Sequence, residues 1–275
     1  MSILLINSLI GGLLAGGLCG SIGMICNRLN LSTIAFATAH AALAGSALAL
    51  ALGLDITSTA MIFALITAII LGPLADRFGI SLDLMAMTLF SAYNALAFIF
   101  IVLAPGSALM TESVGQLLWG SILAIRPSYL AFLSAATIFS IIFLTAFWGR
   151  INSILFDSKL AEAEGVNVSL YKYVILTLAG SIIALTLRIT GGFLVFSLLY
   201  LPAAASIQLH NNMKNLVISS WILGSISAAG GLGLSFIADL PAGSCITIAA
   251  ILFFLGSIAY SRLRILLGGR GLDED

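Results

Sequence analysis

Apolar residues in this chain come in blocks of about 20, the length that crosses a bilayer as a helix. Short polar stretches separate them. The blocks fall near 3–26, 32–53, 56–73, 83–103, 128–147, 173–190, 192–209, 215–236 and 242–261, and they predict about nine transmembrane helices. The 3–26 and 32–53 blocks are uninterrupted, 56–73 is short, and 104–127 is mixed and reads as a stretch with a half-helix at the membrane surface. The period-2 alternation of a membrane β-barrel is absent.

The one long polar interruption is 147–173, with Arg150, Asp157, Lys159, Glu162, Glu164 and Lys172. Within it, Asp157 to Glu164 predicts a short helix. Asp157 or Ser158 serves as N-cap, the first turn is acidic, and Gly165 supplies a left-handed stop. Phe156, Leu160 and Ala161 give this helix an apolar side. A capped amphipathic helix at a membrane face can dock in a groove of another protein. A solvated loop helix with no special role fits the same residues.

Glycines mark the expected contacts between spans. Gly12, Gly16 and Gly20 recur every fourth residue in the first block, and Gly224, Ser227, Gly230, Gly231 and Gly233 give the eighth the same character. Small residues at this spacing let helix backbones approach closely.

Composition sharpens the class. The 275 residues are 61% hydrophobic and 8% charged, against about 25% charged in soluble domains. The chain therefore reads as one all-α membrane domain, 1–275, without a soluble part. Zero net charge gives no reason to expect nucleic acid. Cys19, Cys26 and Cys245 are odd in number and widely spaced, which fits small packing residues better than a disulfide framework or thiolate metal site. The first block lacks the positive flank of a cleaved signal peptide and is expected to be retained. With the N-terminus outside and spans alternating, Arg28, Arg77, Arg150, Lys159, Lys172, Lys214, Arg262, Arg264 and Arg270 fall inside, and only Arg126 and Arg188 outside. That bias predicts an external N-terminus, a cytoplasmic C-terminus and a cytoplasmic 147–173 connector.

Several chemistries find no residues. A P-loop ends in Gly-Lys-Ser/Thr, but none of Lys159, Lys172 and Lys214 follows a glycine. Metalloprotease and serine-hydrolase signatures are absent as well, so the chain is not expected to be an enzyme. Ion-coupled carriers place carboxylates inside their spans, whereas Asp55, Asp76, Asp83, Glu112 and Asp239 all lie at or near span ends. Energy for transport is expected from elsewhere. His40 lies inside a span; His210, beside Asn211 and Asn212, reads as interfacial. Asn94 is a candidate for lining a pathway, with interhelical hydrogen bonding as the alternative.

Four segments carry a family resemblance: Phe156-Asp157, Leu160-Ala161 and Glu164-Gly165-Val166-Asn167 in the connector; Leu118 to Ala124; Gly191 through Pro202-Ala203-Ala204; and Asp239-Leu240-Pro241-Ala242-Gly243. In this order, over about residues 5–262, they resemble the permease subunits of bacterial ABC importers for zinc, manganese and iron. The resemblance implies a type II ABC importer-like bundle in the bacterial plasma membrane, with 148–171 as a cytoplasmic coupling segment. Phe156, Asp157, Leu160, Ala161, Glu164 and Gly165 would then face a separate ATPase that holds ATP and magnesium. It also implies an extracytoplasmic metal-binding protein, a second permease copy or close relative, and a transported divalent metal, with no cofactor on this chain. Iron-siderophore or cobalamin permeases and stand-alone secondary transporters are the competing readings.

The resemblance also marks His40 as a metal-pathway residue and shows a departure. Family members carry Asp four residues before this His and Leu-Pro-Gly after it, whereas this chain has Phe36 and Leu43-Ala44-Gly45. His40 as a weak ligand paired across a dimer, as part of a degenerate partner in a heterodimer, or in a site that has been lost all remain open. So does a buried histidine bonded to a backbone carbonyl.

Overall fold

The computed structural model describes residues 3–29, 31–104, 125, 127–191 and 195–268. Among them are eleven helices and no strand: α1 Ile3–Arg28, α2 Ser32–Leu52, α3 Ile56–Phe78, α4 Leu82–Leu103, α5 Pro127–Ala146, α6 Trp148–Phe156, α7 Ser158–Ala163, α8 Val168–Thr190, α9 Val195–Leu209, α10 Met213–Ala238 and α11 Ala242–Gly268. Seven (α1, α3, α4, α5, α8, α10 and α11) contain stretches long and apolar enough to cross a membrane. The apolar part of α2, Phe36–Leu52, and α9 are shorter. At 1.5 Å per residue, α9's 15 residues reach about 22 Å, below the ~30 Å of a hydrocarbon core. The half-helix expected in 104–127 and the 118–124 motif lie outside the described residues, apart from Ala104, Ile125 and the start of α5.

Local chemistry sets the helix ends. Asp55 caps α3 by accepting from Ser58 N at 2.8 Å, and Ser81 caps α4 by accepting from Leu84 N at 3.2 Å. Two boundaries differ from the sequence reading. α3 does not stop at residue 73 but runs through Pro73 to a left-handed Gly79; one missing amide is tolerated where neighbouring helices hold the turn. The connector also holds a second helix before Asp157, which the sequence reading does not predict. Trp148–Phe156 forms α6, with Ile151, Ile154 and Leu155 buried on one face.

α1 is the central helix, packed on α5, α8, α9 and α10. Its seam with α10 closes backbone to backbone. A Cβ at Gly16 would run into the Gly224 carbonyl, one at Gly224 into the Gly16 carbonyl, and one at Gly20 into the Ser220 carbonyl. Ser220 Oγ donates to Gly20 O at 2.6 Å and Ser225 Oγ to Leu13 O at 2.9 Å, fastening the crossing on both sides. The glycine expectation holds for Gly16, Gly20, Gly224 and Gly231, whereas Gly230 and Gly233 face open space. All three cysteines are buried and free.

α2 packs on α3 and α4, and α8 bridges the two groups by touching α1, α2 and α3. The buried face of α2 is built of small residues, including Ala37, Ala39, Ala41, Ala42, Ala44 and Ala47, while Ile69, Phe98, Val102, Phe132, Phe139 and Leu252 on other helices point outward. Small inside and large outside is the pattern expected where hydrocarbon replaces water as solvent.

Candidate functional site

Two places hold the residues singled out by the sequence. The first is inside the bundle. His40 is 5% exposed. Its Nδ1 lies 3.1 Å from the Phe36 carbonyl one turn back. A carbonyl only accepts, so Nδ1 donates, and in the neutral ring Nε2 keeps the lone pair that could bind a cation. The imidazole meets Phe90 of α4 edge-on at 4.3 Å and stacks at 5.5 Å on Phe196 of α9. Phe36 stacks on Phe196 at 4.2 Å and on Tyr200 at 5.5 Å, with Phe90 edge-on at 6.3 Å. The carbonyl-bonded histidine weighed from sequence is thus present, within a ring cluster spanning α2, α4 and α9.

No group of three His, Cys, Asp or Glu among the described residues could hold a metal. His40 is one ligand, and tight transition-metal binding takes three or four. Asn94 lies one turn beyond Phe90 on the same face of α4, and its Oδ1 is buried without a hydrogen-bond partner, as is Ser46 Oγ on α2. The interhelical bond expected as the alternative for Asn94 is not made by this oxygen. His210 is exposed, in keeping with an interfacial place.

The second place is the α6–α7 corner. Asp157 Oδ1 accepts from Lys159 N at 2.8 Å and Leu160 N at 3.1 Å. At the other end, Gly165 has φ +86. Its N–H bonds Glu162 O, and Val166 N bonds Ala161 O, both at 3.0 Å, closing a Schellman turn. Asn167 Oδ1 then caps α8 through Leu170 N at 3.0 Å. Asp157 rather than Ser158 is therefore the cap, and because Asp157 stands outside the helix the first turn is not acidic as expected. The apolar side divides in two: Ala161 is buried against the protein, while Phe156 and Leu160 are 80% and 53% exposed. Glu164 is also exposed.

Two tyrosines at the start of α8 tie this corner to the bundle. Arg150 Nη1 donates to Tyr171 Oη at 2.9 Å, which holds the Arg150 guanidinium above its ordinary pKa. The Tyr173 ring lies against Gly72, beside Pro73, and its hydroxyl is 3.4 Å from Asp76 Oδ2. Sequence reasoning missed these tyrosines and the Phe90, Phe196 and Tyr200 rings. The only advance sign was aromatic residues four apart, Phe196 and Tyr200, matching Phe36 and His40.

A bundle of apolar helices with small residues inside, one buried imidazole and a rigidly capped surface helix defines a multi-pass membrane permease. The chain belongs to the ABC 3 transport family, whose model matches residues 1–261. It is 27% identical to the manganese import system permease protein ScaB of Streptococcus gordonii, over 91% of this chain and 89% of that one. It is 25% identical to the high-affinity zinc uptake system membrane protein ZnuB of Buchnera aphidicola, over 88% and 91%. Among solved structures, PsaBC from Streptococcus pneumoniae in complex with Fab matches with a TM-score of 0.82 and 27% identity, covering 96% of each chain.

Proposed function

We propose that this chain is the permease subunit of an ABC importer that carries a divalent metal, manganese or zinc, into the cytoplasm. In this reading residues 1–275 form one permease domain of about nine spans, with α2 and α9 crossing at less than full length. The N-terminus lies outside, and the connector and C-terminus inside. Relatives named for manganese import and zinc uptake cover nearly the whole chain at 25–27% identity, which supports the cargo class.

The observation that carries the mechanism is the α6–α7 corner, where Phe156 and Leu160 stand exposed on a helix fixed at both ends. Such a corner suits a groove on a cytoplasmic ATPase. Asp157, Glu164, Ala161 and Gly165 set its charge and shape. Movement of the ATPase would pass through Arg150–Tyr171 and Tyr173–Gly72 into α3 and then α2. An extracytoplasmic binding protein would deliver the ion, and a second copy or close relative would complete the pathway.

Within the pathway, His40 Nε2 and Asn94 Oδ1 offer imidazole and carbonyl-type donors, a set that manganese and zinc accept. With Phe36 in the place of an acidic ligand, one chain holds the ion loosely, and a facing His40 from the second copy would add a further donor. The test is co-purification of the chain with its ATPase, followed by cation-stimulated ATP hydrolysis. The double variant Asp157→Lys, Glu164→Lys is expected to lose most of the retained ATPase. Undiminished retention would sink the docking role, and stimulation by neither manganese nor zinc would sink the cargo.

A further inference from the structure

Where α1 ends and α10 begins, a cleft of 520 Å³ opens between α1, α5, α6 and α10. Leu144, Val217, Ile218 and Trp221 form much of its wall, and among the described residues Lys214 is its only charged lining residue. The hydroxyls that line it are already engaged: Ser21 Oγ donates to Leu18 O at 3.1 Å, Ser140 Oγ to Ala136 O at 2.7 Å and Thr145 Oγ1 to Ile141 O at 2.7 Å. Their donor hydrogens are thus spent on the helices' own carbonyls, and with the rest of the wall apolar the interior suits hydrocarbon.

The rim has a different chemistry. Lys214 is exposed in the first turn of α10, and Trp148 opens α6 at the same end of the bundle. Two of the chain's three tryptophans, Trp148 and Trp221, line this one cleft. Indole rings favour the boundary between headgroups and acyl chains, and lysines between spans attract anionic headgroups. Trp221 lies seven residues beyond Lys214, about 10 Å deeper along the helix, which leaves room for the upper half of an acyl chain.

We propose that this cleft binds an anionic phospholipid, with an acyl chain between α5 and α10 and its phosphate against Lys214. The lone cation above a wall without acidic residues favours this occupant over a second copy of the chain, which would have to bring its own counter-charge. The site does not depend on the transport reading. Only its leaflet does, and with the orientation proposed above it is the cytoplasmic one.

Native mass spectrometry of the purified full chain tests this, with phosphatidylglycerol and phosphatidylcholine of identical acyl chains. The chain is expected to retain phosphatidylglycerol about fivefold better, the preference one lysine gives near a lipid surface. Lys214→Gln should abolish the preference, and Lys214→Arg should keep it. Ile218→Trp, which fills the cleft, should reduce retention of both lipids. Equal retention by the unaltered chain, or an undiminished preference in Lys214→Gln, would overturn the proposal. So would efficient disulfide cross-linking of two copies through Ile218→Cys, which would give the cleft to a second chain.

Discussion

α1 meets α10 backbone to backbone, whereas α2 meets α4 and α9 through stacked rings. In the first seam, glycines abut carbonyls and two serine hydroxyls close the crossing on either side. In the second, Phe36, His40, Phe90, Phe196 and Tyr200 pack face and edge, while Asn94 Oδ1 and Ser46 Oγ stay buried and unpartnered. Glycines set against carbonyls with no room for a side chain make a tight crossing, although Ser227 Oγ on α10 is buried without a partner as well. The second seam closes on side-chain rings and leaves two buried oxygens without a partner. A buried unsatisfied oxygen costs about 1–3 kcal/mol, a cost a ligand or passing ion would relieve. One seam is closed on the main chain and the other on side chains.

Four substitutions would break or sharpen the contrast. The largest effect is expected from Gly16→Leu, whose side chain has only the Gly224 carbonyl to enter. Overpacking costs about 1–3 kcal/mol where side chains can yield, and against backbone that cannot yield the upper end is expected, so the purified yield and thermal midpoint should fall sharply; near-normal stability would show that the α1–α10 seam is not rigid. His40→Ala is expected to cut metal uptake at least tenfold while the chain still assembles with its ATPase. Full uptake would remove the ring cluster from the pathway, whereas restoration of tighter metal binding by Phe36→Asp in the His40 chain would confirm its place there. Asn94→Leu should divide the two properties: a thermal midpoint raised by a few degrees, worth about 1 kcal/mol, together with lower uptake. A lower midpoint would mean that the amide is structural. Ser220→Ala should have the smallest effect, losing about 1 kcal/mol in thermal unfolding with uptake unchanged.

How much of this was legible in the sequence depended on how local the signal was. The connector helix could be read closely because Asp157, Gly165 and Asn167 act on their own neighbours within a few residues. The α1 glycines announced a close seam because four-residue spacing is itself a face of a helix. The same logic over-counted in α10: Gly230 and Gly233 belong to no contact, since composition does not tell which face meets a partner. α6 went unread because Ile151, Ile154 and Leu155 are interleaved with arginine, asparagine and serine, and the stripe becomes visible only when a face is buried. The ring cluster had only a faint local sign, the four-residue spacing of Phe196 and Tyr200 and of Phe36 and His40. It joins residues 36 and 40 to 90, 196 and 200, and only the packing of α2 on α4 and α9 brings them together. The 56–73 span came out short because hydropathy falls where Asp76 and Arg77 begin, although the helix itself runs on through Pro73 to Phe78.

The mutual abutment of Gly16 and Gly224 has a consequence for genetics. When two side chains clash, a second mutation can trim the other one and restore the fit. Here the obstacle to each glycine is the main chain of the opposite helix, and no codon change can remove a carbonyl. Ala228→Gly would take away one neighbouring methyl group but leave the Gly224 peptide in place. A suppressor screen begun from a bulky residue at position 16 should therefore return reversions at that codon to glycine, and few or none from α10. The seam is inherited as a pair of sites that cannot compensate for each other.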